Sequence, residues 1–101
     1  MAIPTNGVAY SFTTALLDSS APTTLLASHI FEAGDVKVSL NQGVSYSNIA
    51  ALPTVANSTV LVALTAAEMT PSTSVDYIVV KFVDQTNPVA WLAVSIHIPV
   101  S

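Results

Sequence analysis

Residues 36–49 have the sequence VKVSLNQGVSYSNI, which is the clearest β-hairpin signal in the chain. Its first strand alternates three apolar residues with Lys37 and Ser39, the two-residue period of a strand that buries one face. We therefore expect Lys37 and Ser39 to face solvent. The Asn-Gln-Gly tripeptide at 41–43 tolerates positive φ, so residues 44–49 can return antiparallel. The segment predicts a hairpin within an antiparallel sheet.

Runs of the same kind continue on both sides of this hairpin. The longest of these runs is residues 75–83. Because it is rich in β-forming residues on both faces, we predict that it lies centrally in a sheet. A Thr-Ala-Ala-Glu segment at 65–68 matches the capping box, in which the Thr hydroxyl and the Glu carboxylate each accept a backbone N–H, and it predicts one helical turn at 66–69. The predicted strands outside the hairpin are residues 8–14, 24–31, 60–64, 75–83 and 91–98.

Seven short strands without a long amphipathic helix indicate an all-β fold, an antiparallel Ig-like β-sandwich with one short helical turn. A small barrel is the alternative. A chain of 101 residues fits one domain. We expect that domain to span residues 8–101, after an N-terminal arm of residues 1–7 that is free to reach a neighbouring subunit.

Composition excludes several classes of function. With 51% hydrophobic and 8% charged residues, the chain is too apolar to be disordered. Its net charge is −4 and its only basic residues besides histidine are Lys37 and Lys81, so we expect no nucleic-acid binding. The absence of cysteine excludes disulfides and thiol catalysis. A surface with so few charges is suited to packing among neighbouring proteins.

Targeting and membrane signals are not evident in the sequence. The first ten residues, MAIPTNGVAY, have neither a positively charged region nor an apolar run, so we expect no secretory signal. The longest apolar runs are far shorter than the roughly 20 residues that a spanning helix needs. We therefore expect no membrane contact.

Catalytic and metal chemistry are not indicated by the sequence. His29 and His97 lie in predicted strands without a second metal ligand nearby, and no Gly-x-Ser-x-Gly elbow or Gly-rich phosphate loop is present. We expect no enzyme activity, no metal site and no cofactor. The six carboxylates each have a local structural explanation: Asp18, Asp35 and Asp84 lie in turn signals, Glu68 completes the capping box, and Glu32 and Asp76 flank strands.

Four residues are candidate contacts with a partner. Ile3 lies in the arm and Tyr10 on the first strand, while Tyr46 lies on the returning strand of the hairpin. Trp91 follows a predicted proline-containing turn and is the best candidate among the aromatic side chains for an exposed one. Aromatic residues are enriched at protein interfaces, although core packing also explains many of them in a small domain.

Several segments from residue 33 onward resemble a known module: AGDVKVS at 33–39, NIAALPT at 48–54, LTAAEM at 64–69 and VVKFVDQT at 79–86, followed by Ala90 and Trp91. The chain resembles a small β-sandwich module of structural proteins of tailed bacteriophages and phage-like particles, found in fibres, spikes, baseplates and head decorations. The LTAAEM segment is the most specific part. Residues 41–43 replace the module's frequent Asp-Gly-Gly hairpin tip.

The resemblance implies a non-enzymatic virion structural protein, such as a capsid decoration, spike-base or fibre-adaptor subunit. Its expected partners are other virion proteins and further copies of itself in a homo-oligomer. Its expected location is the surface of a phage or phage-like particle that is made in the bacterial cytoplasm. The alternative is a glycan-binding adhesive module that recognises a host surface through Tyr46 or Trp91.

Overall fold

In the computed structural model, residues 3–85 and 90–101 are described. These residues form ten β-strands and no helix, which confirms the all-β prediction. The strands are β1 (Tyr10–Thr14), β2 (Leu17–Asp18), β3 (Ala21–Leu25), β4 (His29–Ile30), β5 (Val36–Ser39), β6 (Ser47–Asn48), β7 (Thr54–Ala56), β8 (Thr59–Leu64), β9 (Tyr77–Phe82) and β10 (Val94–Pro99).

The strands form two four-stranded sheets and one two-stranded sheet. The first sheet has the order β1-β8-β7-β4, the second sheet has the order β10-β9-β5-β6, and β2 pairs with β3. Every pairing is antiparallel, as predicted. Buried side chains from both four-stranded sheets join one hydrophobic core, an arrangement consistent with a β-sandwich.

The described residues contain more strands than the seven that the sequence predicts. The predicted run at 24–31 divides because its two ends pair with different partners. Leu25 pairs with Leu17 in the small sheet, whereas His29 pairs with Val55 in the first sheet. A single periodic run in the sequence therefore becomes two short strands.

The hairpin prediction is confirmed by the pairing of Lys37 with Asn48. The prediction that Ser39 faces solvent is wrong, because Ser39 is only 1% exposed. The connecting loop folds back over the strand, and the Gly43 N–H donates to Ser39 Oγ at 2.9 Å. Gln42 and Gly43 have φ of 64° and 82°, as the turn chemistry predicts.

Strand β9 is central in the second sheet, as predicted, with β5 on one side and β10 on the other. Ile78, Val80 and Phe82 on its inner face are fully buried. Lys81 lies on the opposite face of the strand because successive side chains alternate. The inner face of β9 thus forms a large part of the core.

The capping box is present, but it closes a turn and not a helix. The Thr65 N–H donates to the Glu68 carboxylate at 2.9 Å, and the Glu68 N–H donates to Thr65 Oγ1 at 3.2 Å. The other oxygen of Glu68 accepts the Ala50 N–H at 3.0 Å. The single helical turn that the sequence predicts is therefore observed as a hydrogen-bonded turn, which Glu68 ties to the loop before β7.

The buried carboxylate of Asp35 joins two distant parts of the chain. It is 1% exposed. One oxygen accepts the Glu32 N–H at 2.8 Å and the other accepts the Gln85 N–H at 3.0 Å. The turn before β5 is thereby held to the end of β9.

We predict that Asp35→Asn lowers the free energy of unfolding by about 1–3 kcal/mol, because one of the two backbone N–H groups then faces an NH₂ group and loses its acceptor. Urea unfolding followed by circular dichroism measures the change. Glu32→Gln is the matched control, because it removes the same charge from an exposed side chain. Equal losses in the two variants would show that charge, and not the lost acceptor, is responsible.

Candidate functional site

The flank of the molecule between β1 and β10 carries two apolar depressions, and we call this flank the open side. The first depression has a volume of about 260 Å³ and the second about 290 Å³. Both are lined by residues without acidic or basic side chains, except that His97 lines the first. The first is lined by Ile3, Pro4, Tyr10, Phe12, His97, Ile98 and Pro99, and the second by Ala15, Leu16, Leu17, Leu92, Ala93 and Val94.

The size of these depressions limits what they can hold. Sites for drug-sized ligands measure about 300–1,000 Å³, so each depression is at or below the lower end of that range. Each can receive one or two apolar side chains of a neighbouring segment. The open side is therefore suited to an extended peptide or strand and not to an enclosed small molecule.

Two unpaired sheet edges border the open side. Within the described strands, β1 pairs only with β8 and β10 pairs only with β9. Strand β1 has the sequence YSFTT, which contains no charge and no proline to discourage pairing with another chain. Strand β10 ends in Pro99, which cannot donate to a ladder. Of these two edges, that of β1 is thus the less protected against pairing with a further strand.

Period-two alternation in β1 explains how the first depression forms. Tyr10 and Phe12 lie on the core side of the strand, and their rings stack with centroids 6.0 Å apart. Both are only partly buried because no further strand covers them. Ile3 is 52% exposed beside them.

The segment before β1 is attached to the domain, which corrects the expectation of a free arm for residues 4–7. The Asn6 N–H donates to the Ser101 carbonyl at 2.8 Å, and the Ser101 N–H donates to the Pro4 carbonyl at 3.0 Å. The Gly7 N–H donates to the Met69 carbonyl at 3.0 Å. These bonds hold the segment against the C-terminal end of β10. The first two residues of the predicted arm lie outside the described residues.

The four predicted contact residues lie in three different places. Ile3 and Tyr10 meet in the first depression, which their separation in sequence does not reveal. Tyr46 lies under Lys81 on the outer face of the second sheet, with the Nζ 5.0 Å from the ring centroid. Trp91 lies in the core.

The choice of Trp91 as the best candidate for an exposed aromatic is wrong, because the residue is 1% exposed. Its ring packs edge-on against His29 and Phe31, each with a centroid distance of 5.1 Å. A bridge between Asp18 and Trp91 brings it there, and its Nε1 has no hydrogen-bond partner among the described residues. A buried indole cannot stack on a sugar, so the adhesive interpretation loses one of its two aromatic residues.

The described residues show no arrangement suited to metal chemistry. No group of three or more His, Cys, Asp or Glu side chains lies within reach of a common ion in residues 3–85 and 90–101. The two histidines contact aromatic rings: His29 contacts Trp91, and His97 contacts Tyr77 with centroids 5.5 Å apart. The carboxylate of Asp18 accepts hydrogen bonds from the hydroxyl and the backbone N–H of Ser20. Both bonds lower the pKa of Asp18, and the bond from the hydroxyl has the larger effect.

Comparisons with known proteins found no match: no family model, no curated protein and no solved structure is significantly similar to the chain. No helix among the described residues is long and apolar enough to cross a bilayer.

We predict that Trp91→Ala lowers the free energy of unfolding by about 3–5 kcal/mol, because it removes the largest buried side chain and leaves a cavity. Leu92→Ala is the control at an exposed neighbouring position, where we expect a loss below about 1 kcal/mol. Urea unfolding of both variants measures the difference. Similar small losses would contradict the burial of Trp91.

We predict that Ser20→Ala raises the pKa of Asp18 towards its ordinary value, because the hydroxyl bond that favours the charged carboxylate is lost. The lowered pKa means that these bonds stabilise the fold above about pH 4 and that their contribution is lost as the pH falls through the folded-state pKa. An NMR titration of the Asp18 carboxyl measures the shift. Thr23→Ala, which removes a nearby exposed hydroxyl, should leave the titration unchanged.

Proposed function

We propose that the chain is a non-enzymatic virion structural protein that assembles with other subunits through its open side. The observation that carries this proposal is the pair of apolar depressions between the unpaired edges of β1 and β10. Exposed sheet edges recruit further strands through main-chain hydrogen bonds, and apolar pockets beside them select the side chains. A capsid decoration, spike-base or fibre-adaptor subunit needs such a surface.

The sheet orders support an Ig-like form of the sandwich. Strands β5, β6, β9 and β10 have the order G-F-C-C′ when β10 is taken as strand G, which is the order of one sheet of variable-type immunoglobulin domains. Strands β1, β8 and β7 then occupy the positions of B, E and D in the other sheet. The three short strands β2, β3 and β4 are insertions between B and C.

This assignment explains the open side. Strand A of an immunoglobulin domain lies beside strand B, which corresponds to β1. Here Pro4 and Asn6 bond to Ser101, which follows β10, and among the described residues 3–9 none pairs with β1. The edge of β1 and the apolar side chains beneath it are thus available to a strand from a neighbouring subunit.

Surface chemistry supports the same role. Exposed apolar residues line the open side, including Ile3, Leu17, Leu92 and Val94. Clustered exposed apolar residues indicate an interaction surface on a protein of this size. The resemblance of the sequence to phage structural modules supports partners in a phage or phage-like particle, and further copies of the chain are the first partner to test.

We predict that the wild-type chain forms a defined oligomer and that Ile3→Asp raises its dissociation constant roughly 30-fold, because a charge in the apolar depression costs at least about 2 kcal/mol. Multi-angle light scattering over a concentration series measures the mass. Val44→Asp is the matched control, because Val44 is 84% exposed and lies away from the open side.

The virion assignment is tested by co-sedimentation of the chain with phage or phage-like particles from the cells that encode it. Binding to particles that Ile3→Asp weakens and Val44→Asp retains would support the assignment. A monomer at every concentration that also ignores particles would overturn it, and a glycan array would then test the adhesive alternative.

A further inference from the structure

The only two lysines of the chain are direct cross-strand partners on the outer face of the second sheet. Lys37 on β5 pairs with Lys81 on β9. Ser95 on β10 lies opposite Lys81, and Asn48 on β6 lies opposite Lys37. We call these four residues the lysine row. It crosses all four strands of the sheet, so every cationic side chain except histidine is concentrated in one line.

This placement is unfavourable for an isolated molecule. Like charges directly opposite each other in an antiparallel pair destabilise it. Both lysines are partly buried, and neither forms an ion pair with any of the six carboxylates, all of which lie in the described residues. Asp35, two residues before Lys37, already uses both oxygens for backbone N–H groups. The Tyr46 ring compensates only Lys81.

The carboxylates of the chain divide into two groups. Four accept hydrogen bonds within the molecule: Asp18, Asp35, Glu68 and Asp84. The other two, Glu32 and Asp76, are exposed, and their side chains accept no hydrogen bond from the described residues. Each copy therefore offers two lysines without a carboxylate and two carboxylates without a donor.

The number of cations restricts the kind of partner. Nucleic acids and anionic membranes are bound by clusters of several lysines or arginines, so two are too few. Two ammonium groups flanked by a hydroxyl and an amide are suited to one or two carboxylates, whose oxygens can accept from the whole row.

We propose that the lysine row binds exposed carboxylates of a second copy of this chain. The argument is charge complementarity: the net charge of −4 gives every copy a surplus of carboxylates, and the row is the only concentrated positive charge that they can meet. The contact rests on the proposed function, because it forms between copies in the same assembly. It lies on a sheet face, whereas the open side lies at the sheet edges.

Two charge-reversed doubles test the contact, Lys37→Glu/Lys81→Glu and Glu32→Lys/Asp76→Lys. Each is measured alone and in an equimolar mixture by light scattering at about 50 mM and 500 mM salt, which screen charges to different extents. We expect a rise of at least about tenfold in the dissociation constant for the lysine double alone, and recovery in the mixture. The difference in dissociation constant between the lysine double and the wild-type chain should be smaller at 500 mM than at 50 mM salt, because salt screens the contact of the row.

Two variants of equal net charge control for the effect of charge alone. Lys37→Gln/Lys81→Gln and Thr23→Glu/Ser28→Glu both change the net charge from −4 to −6, but only the first removes the lysine row. We expect only the first to weaken association, and circular dichroism checks that both fold. If the first variant associates like wild type, the lysine row is not an interface, while the proposed function stands.

The same measurements on the wild-type chain distinguish failure of the proposed function from failure of the lysine row alone. A wild-type chain that is monomeric at every concentration overturns the second copy as partner of the lysine row, and one that also ignores particles overturns the proposed function as well. If such a monomer binds a hexaglutamate peptide and Lys37→Glu/Lys81→Glu does not, the row serves an acidic segment of another protein, and the second copy is rejected as its partner.

Discussion

The register of β9 is the constraint on which the rest of the structure depends. Burial of Ile78, Val80 and Phe82 fixes which face of this central strand meets the core. Because side chains alternate, the same register places Lys81 on the outer face opposite Lys37. A slip of one residue would bury Lys81 and expose Phe82. The core, the lysine row and the position of β10 at the sheet edge therefore follow from one set of pairings.

The strands were predictable where the pattern of apolar residues along one short segment shows which of its faces are buried. Strands β5, β8 and β9 alternate strictly or bury both faces, and the sequence predicts them together with the hairpin. The edge positions of β1 and β10 were not predictable. They depend on pairings between distant residues, such as Phe12 with Val62, and local periodicity carries no information about which strand lies at an edge. Ile3 and Tyr10 were predicted as contacts, but not as neighbours.

The errors at Ser39 and Trp91 have a common physical origin. Alternation correctly places Ser39 on the outer face, yet the following loop folds over it and supplies the Gly43 N–H. Trp91 follows a segment that the sequence predicts to turn, yet the bridge to Asp18 draws it inward. Both outcomes depend on contacts that periodicity does not encode. The composition gave one indication that Trp91 is buried. A small domain with one tryptophan and three phenylalanines has few large side chains to fill its core.

The two proposed contacts, the open side and the lysine row, depend on different forces. They would therefore have different roles in one assembly. The open side has no acidic or basic residue other than His97, so association there gains from burial of apolar surface and from strand pairing. Salt screens the repulsion between copies of net charge −4 and favours that contact. The lysine row is weakened by the same salt. The edge would supply most of the affinity, and the row would penalise orientations that leave its two ammonium groups without carboxylates.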